Sequence, residues 1–157
     1  MRKPSLWTKL FLLPLLVVVM GWAAKPVMAQ DTGTTKEKSL YERLGGYNAL
    51  AAVTDEFLRR LAEDKQLSRF LVGLSDDSKK RLRQHVLNLL CQSTGGPCVY
   101  TGRDMKTAHT GLKITESDWD ISAKALVATL DKFKVPKKEQ DEVLALVSSL
   151  KKDIVGL

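Results

Sequence analysis

The chain has 157 residues, 44% hydrophobic and 27% charged, a composition that fits one soluble globular domain and excludes a disordered chain. Its net charge of +7 is front-loaded: the first 29 residues hold Arg2, Lys3, Lys9 and Lys25 and no acid, leaving +3 for the remainder. The remaining charges are interspersed, with no basic stripe interleaved with aromatics, so the chain carries no nucleic-acid footprint.

Residues 1–29 read as an export signal. Arg2, Lys3 and Lys9 form the positive end, residues 10–24 the apolar run, and Val27-Met28-Ala29 the small-residue cleavage site, which places cleavage before Gln30. The run of 15 residues is short of the ~20 that cross a bilayer, and Pro14 and Gly21 weaken it as a helix. The expectation is an exported, periplasmic protein, tethered to the membrane if the segment stays uncleaved. No cysteine follows the run to carry a lipid. Residues 30–38, rich in Thr, Gly, Lys, Glu and Asp, read as a flexible leader to a domain spanning 39–157.

Ser39 with Glu42 fits a capping box for a short helix that Gly45-Gly46 ends. A helix over 47–63 comes next, with Leu50, Val53, Phe57 and Leu61 on one face and Leu58 beside them. Leu67, Phe70 and Leu71 make an apolar turn, and Ser75-Asp76-Asp77-Ser78 can cap the helix after it. That central helix covers about 78–91, with Leu82, Val86, Leu89, Leu90 and Ser93 tracing an inner face that includes His85. Residues 94–102 cannot be helical; 104–110 form two turns with Met105, His109 and Leu112 on one side. Thr115 with Asp118 starts another helix, running to about residue 134 through Trp119, Ala123, Leu126, Val127 and Leu130. Pro136 suits the first turn of a last helix, whose stripe is Val143, Leu146, Val147, Leu150 and Ile154. No strand-like alternation appears, so the fold class is all-α.

Both histidines and both cysteines fall between residues 81 and 109. Each histidine lies on an apolar stripe beside one loop, which suggests a metal held between two imidazoles, with haem iron the favoured metal. The plainer reading of either one alone is a packed histidine satisfied by a carbonyl. Cys91 and Cys98 flank Gly95-Gly96-Pro97, and in an exported chain they are expected to pair. So short a ring contributes less than the ~3 kcal/mol of a 15-residue loop, and its use is to tie the central helix to the His109 segment. A Cys₂His₂ zinc site is the alternative, although six residues separate the cysteines where zinc sites use two to four. No Cys-x-x-Cys-His is present, so c-type attachment is excluded. Lys79, Lys80, Arg81 and Arg83 read as a solvated face, or as cations that meet the carboxylates of a cofactor.

Several motifs in this order resemble a group 1 truncated haemoglobin over nearly all of the expected mature chain. They are Leu40-Tyr41-Glu42-Arg43-Leu44-Gly45-Gly46, Asp55-Glu56-Phe57 with Leu67-Ser68-Arg69-Phe70, Gly95-Gly96-Pro97, Tyr100-Thr101-Gly102, Asp104-Met105-Lys106-Thr107-Ala108-His109 and Val135-Pro136. The resemblance implies a two-over-two helical sandwich around non-covalent haem b, with His109 as proximal ligand. Met105 and Lys106 accompany it in the proximal segment. Phe57 matches a pocket phenylalanine, Phe70 or Leu71 falls where an aromatic packs on the haem, and Arg81 falls near a position that contacts a propionate. On the distal side the usual tyrosine and glutamine positions hold Leu58 and Val86, with Leu82 one turn earlier. His85 matches the position that supplies a second iron ligand in some cyanobacterial members. The implied function is binding of a diatomic ligand (oxygen, nitric oxide or carbon monoxide). Exported electron transfer with a redox partner protein and haem carriage are the alternatives, and nitric oxide dioxygenase or peroxidase-like activity stays open.

Overall fold

Four of the six described helices begin where a polar side chain satisfies one of the first free N–H groups. The computed structural model describes residues 37–157, so the expected export signal and all but the end of the expected leader lie outside the described residues. Ser39 and Glu42 cap α1 (Leu40–Arg43) reciprocally: the Glu42 N–H donates to Ser39 Oγ at 3.2 Å, and the Ser39 N–H to the Glu42 carboxylate at 2.8 Å. Gly45 and Gly46 then take φ of 95° and 77°, left-handed values that a side chain resists, and turn the chain into α2 (Gly46–Glu63). A 3₁₀ turn, Ser68–Phe70, leads to α3 (Asp76–Ser93). This helix starts two residues before the expected 78, because Ser75 Oγ is the cap and Asp76 and Asp77 occupy the dipole-favoured first turn.

Three further helices complete the described residues. Asp104 caps α4 (Met105–His109), accepting from the Thr107 N–H at 2.9 Å. Thr115 and Asp118 form the expected box at the start of α5 (Glu116–Lys132). Pro136 is the N-cap of α6 (Lys137–Ser148), one residue outside the helical turn expected for it, and a 3₁₀ turn Lys151–Asp153 comes after α6. The described residues contain no strand, and the all-α class holds.

α2 organises the packing. It lies against α3 on one side and α5 on another, and α5 also meets α6, which gives the two helix pairs of a two-over-two sandwich. Leu40, Val53, Leu126, Leu130 and Val143 form one buried cluster, with Phe57, Val135, Leu144 and Val147 against it. Leu50, Leu87 and Cys91 form a second, with Tyr41, Ala51 and Cys98 against it; Leu44 touches both. Two expectations change here. On α3 the fully buried residues are Leu87 and Cys91, while Leu82, His85, Val86, Leu89 and Leu90 are half-buried. Leu87 sits roughly 200° around the helix from His85, so α3 is apolar on two sides and the α2 side excludes water best. On α6 only Val143 of the expected stripe is fully buried, and Leu146 is exposed, because Glu139 and Gln140 take the inner face through polar partners. Gln140 Nε2 donates to Asp131 Oδ1 at 2.8 Å and to the Val135 carbonyl at 3.0 Å.

Charged side chains fasten the pairs. Buried Glu56 of α2 accepts from Arg59, from Arg60 at 2.9 Å and from Lys132 of α5 at 2.7 Å. The Arg59 and Lys132 hydrogen bonds outweigh burial and hold its carboxyl far below the usual range. Arg43 bridges α1 to Glu139 and Glu142 of α6, and Arg83 of α3 grips Asp55 of α2 through two nitrogens. Cys91 and Cys98 are joined in a disulfide with Cα atoms 5.7 Å apart. Loop-closure entropy assigns such a ring about 2.5 kcal/mol, so its larger effect is geometric.

Candidate cofactor site

A helix as short as α4 has no stability of its own, and tertiary contacts hold it. It rests on the 3₁₀ turn Lys151–Asp153, and two backbone bonds, Lys113 N to Leu157 O at 3.1 Å and Gly156 N to Ile114 O at 2.9 Å, tie its exit to the chain end. His109 is its last residue and is half-buried. Its Nδ1 lies 2.7 Å from the Met105 carbonyl oxygen. A carbonyl only accepts, so Nδ1 carries the proton and the Nε2 lone pair is left free, the tautomer a metal ligand requires.

His85 is held differently. No described residue hydrogen-bonds to it, and its Nδ1 is buried without a partner. Its ring meets Tyr100 edge-on, with centroids 6.0 Å apart and planes at 73°. An apolar imidazole site with uncommitted nitrogen fits a metal-bearing group better than it fits a packed core, where a buried polar atom is ordinarily satisfied.

The remaining candidates separate. Leu58, Leu82 and Val86 are half-buried apolar side chains on α2 and α3. Phe57 packs on the first core cluster. Phe70 lies under the Arg69 guanidinium at 4.5 Å, and half-buried Leu71 ends the same 3₁₀ turn. Met105 is half-buried and Lys106 exposed. The basic cluster of α3 divides: Lys79 and Lys80 face Asp76 and Asp77 at 3.8 and 3.6 Å, and Arg83 is taken by Asp55. Arg81 bonds only to Ser78 Oγ at 3.1 Å and, among the described residues, has no acidic partner. Within that cluster it is the cation with charge to spare for a carboxylate. Cys91 and Cys98 are bonded to each other, so neither thiol is available to a metal.

Two features escape a reading of the sequence by local pattern. One is Tyr100, which in the sequence is only one residue of a motif. The other is Asp118, which caps α5 and is also the hub that fixes the turn bearing Phe70. Its carboxylate accepts from Gln66 Nε2 at 2.7 Å, Arg69 Nη2 at 2.7 Å, and the Thr115 N–H and hydroxyl at 2.8 Å each. Burial pushes this carboxyl up, and the bonds from Thr115 and Gln66 with the Arg69 charge more than reverse it, to about 2. A buried aspartate in a capping box has the same local pattern as a surface one, so only its distant partners distinguish it.

Two helix pairs crossing as a sandwich, with a histidine of fixed tautomer on a short helix beside them, define the class as a globin of the two-over-two kind. The bacterial-like globin family model matches residues 39–155. The chain is 34% identical over 116 residues to the group 1 truncated hemoglobin GlbN of Mycolicibacterium paratuberculosis, covering 74% of this chain and 83% of the relative. Its fold is similar to the truncated hemoglobin of Tetrahymena pyriformis in the Fe(III) form, with a TM-score of 0.71 and 27% identity, over 76% of this chain and 100% of that one. It is similar also to a Synechococcus 2/2 hemoglobin in the cyanomet state with covalently attached heme, at TM-score 0.69 and 28% identity, over the same shares of each chain. The chain belongs to the bacterial-like globins, with group 1 truncated hemoglobins as its relatives. Membership implies a haem cofactor and a small gaseous ligand.

Proposed function

We propose that this globin holds haem b non-covalently, and that His109 would be its constant iron ligand and His85 a second, displaceable one. The observation that carries the reading is the difference between the two imidazoles: the His109 ring is fixed through the Met105 carbonyl, whereas His85 has no hydrogen-bond partner among the described residues. A ligand with its far nitrogen anchored keeps its orientation, and one held by packing alone is easier to displace. Haem, held by these residues, would supply an iron able to bind a diatomic gas. Leu58, Leu82 and Val86 offer no hydrogen bond to that gas and keep water from the site, while Arg81 is the side chain suited to a propionate. The closed disulfide supports a non-covalent group, since no described cysteine is free to form a thioether.

His85→Ala tests the second ligand. The wild type is expected to be six-coordinate and low-spin in both oxidation states, and the variant five-coordinate, with carbon monoxide binding at least roughly tenfold faster because no internal ligand has to leave first. A five-coordinate wild type would sink the bis-histidine reading, and negligible carbon monoxide binding by the ferrous wild type would favour electron transfer. Extraction with acidified butanone should remove all haem from the same sample if attachment is non-covalent.

The disulfide and the basic, apolar N-terminus together support a periplasmic location, where disulfides persist. N-terminal sequencing of the protein recovered from the periplasmic fraction should begin at Gln30; recovery of the full chain in the membrane fraction would mean an uncleaved tether.

A further inference from the structure

Tyr100 stands where the two histidine-bearing segments meet. Its hydroxyl donates to the Arg103 carbonyl at 2.6 Å, and Arg103 immediately precedes the cap of α4. Its N–H donates to Gln92 Oε1 at 2.6 Å in the last turn of α3, and Cys98, two residues upstream, is bonded to Cys91 of the same helix. The phenol can fold back to Arg103 only over a glycine: a Cβ on Gly102 would lie 2.4 Å from Tyr100 Oη and 2.5 Å from Cζ. The ring is therefore fixed from both sides. Against it, edge to face, rests His85, the imidazole that no hydrogen bond orients.

We propose that Tyr100 is a positioning residue whose ring sets the orientation of the His85 imidazole and so governs how readily His85 gives way to an external ligand. The inference rests on the reading of His85 as a displaceable ligand. His109 needs no such support, because the Met105 carbonyl does the same work for it. An edge-to-face contact between aromatic rings is a packing constraint, so its loss frees rotation of His85 without changing the ligand itself.

The test is stopped-flow binding of carbon monoxide to the ferrous full-length holoprotein, read with the ferric absorption spectrum. Tyr100→Leu is expected to speed the departure of His85 roughly fivefold, the size of one aromatic pair, and to add a high-spin ferric fraction. Tyr100→Phe keeps the ring against His85 but loses the bond to the Arg103 carbonyl, and should fall between wild type and Tyr100→Leu. Gly102→Ala, whose Cβ would displace the phenol without removing it, should act in the same direction as Tyr100→Leu and serves if that variant does not fold. Placed on His85→Ala, Tyr100→Leu should leave the carbon monoxide rate unchanged, since the coupling has lost its target. A wild-type departure rate in both Tyr100→Leu and Gly102→Ala overturns the proposal and leaves the bis-histidine reading intact. So does an equal acceleration in the His85→Ala background, which would mean general loosening of the loop. A wild type that is five-coordinate overturns both.

Discussion

His109→Ala is expected to purify with little or no haem, and added imidazole is expected to restore a low-spin spectrum. The substitution leaves the surrounding structure alone. Alanine is the best helix former, so α4 keeps its backbone, and the Asp104 cap, the rest on the Lys151–Asp153 turn and the two ties to the chain end do not involve the imidazole. What goes is the Nε2 lone pair. Removing only the outer partner of a metal-bound histidine commonly costs about 10–100-fold in affinity, so removing the ligand itself should cost more than about 100-fold. Haem titration of the purified variant, followed at the Soret band, measures this directly. Uptake equal to wild type without imidazole would show that the proximal ligand lies elsewhere.

Asp118→Ala is expected to destabilise the chain by about 3 kcal/mol at neutral pH, since it removes a helix cap together with a set of hydrogen bonds to a charged, buried group. The carboxylate is 1% exposed, and its loss leaves the Thr115 N–H and hydroxyl without their acceptor and the Gln66 amide with Ser117 Oγ alone. The effect should depend on pH with a definite sign. The folded pKa is held at about 2, below the ordinary 3.8, so the stabilisation is complete above that ordinary value and is lost as pH falls through the window between the two. Urea unfolding at pH 7, 5 and 3 should give a gap between wild type and variant that is constant at the first two and narrower at the third. Glu56 and Asp104 are also held low, so the wild type alone weakens in acid for several reasons, and the gap isolates Asp118. A gap that persists undiminished at pH 3 would assign the stabilisation to packing instead of charge. Because Arg69 both bonds Asp118 and covers the Phe70 ring, the same variant should loosen the turn beside the proposed haem pocket.

The features legible in the sequence are those settled within a few residues. Ser39, Ser75 and Thr115 each have their N–H partner three positions on, so these caps follow from local chemistry, and the helix starts drawn from them are correct to within two residues. The Gly45-Gly46 turn and the Cys91–Cys98 pair are equally local, one demanded by positive φ and the other by a ring of a few residues. Family membership was legible for a different reason: several short motifs recur in order, and that order across residues 39–155 is hard to meet by accident.

What only the tertiary structure decided are the matters that depend on distant partners. Hydrophobic periodicity marks α3 as apolar but cannot choose between its two apolar sides, and the crossing of α2 buries Leu87 and Cys91 while leaving the His85 side half-covered. Four neighbouring cations look alike in sequence, yet Asp55 on another helix takes Arg83 and leaves Arg81 uncommitted. Asp118 becomes a buried hub only when Gln66 and Arg69 arrive from 52 and 49 residues away. Tyr100 reaches His85 only because the disulfide, the Gln92 side chain and the space above Gly102 direct it there. Local bonds are fixed by spacing along the chain, whereas these contacts are fixed by how the helices cross.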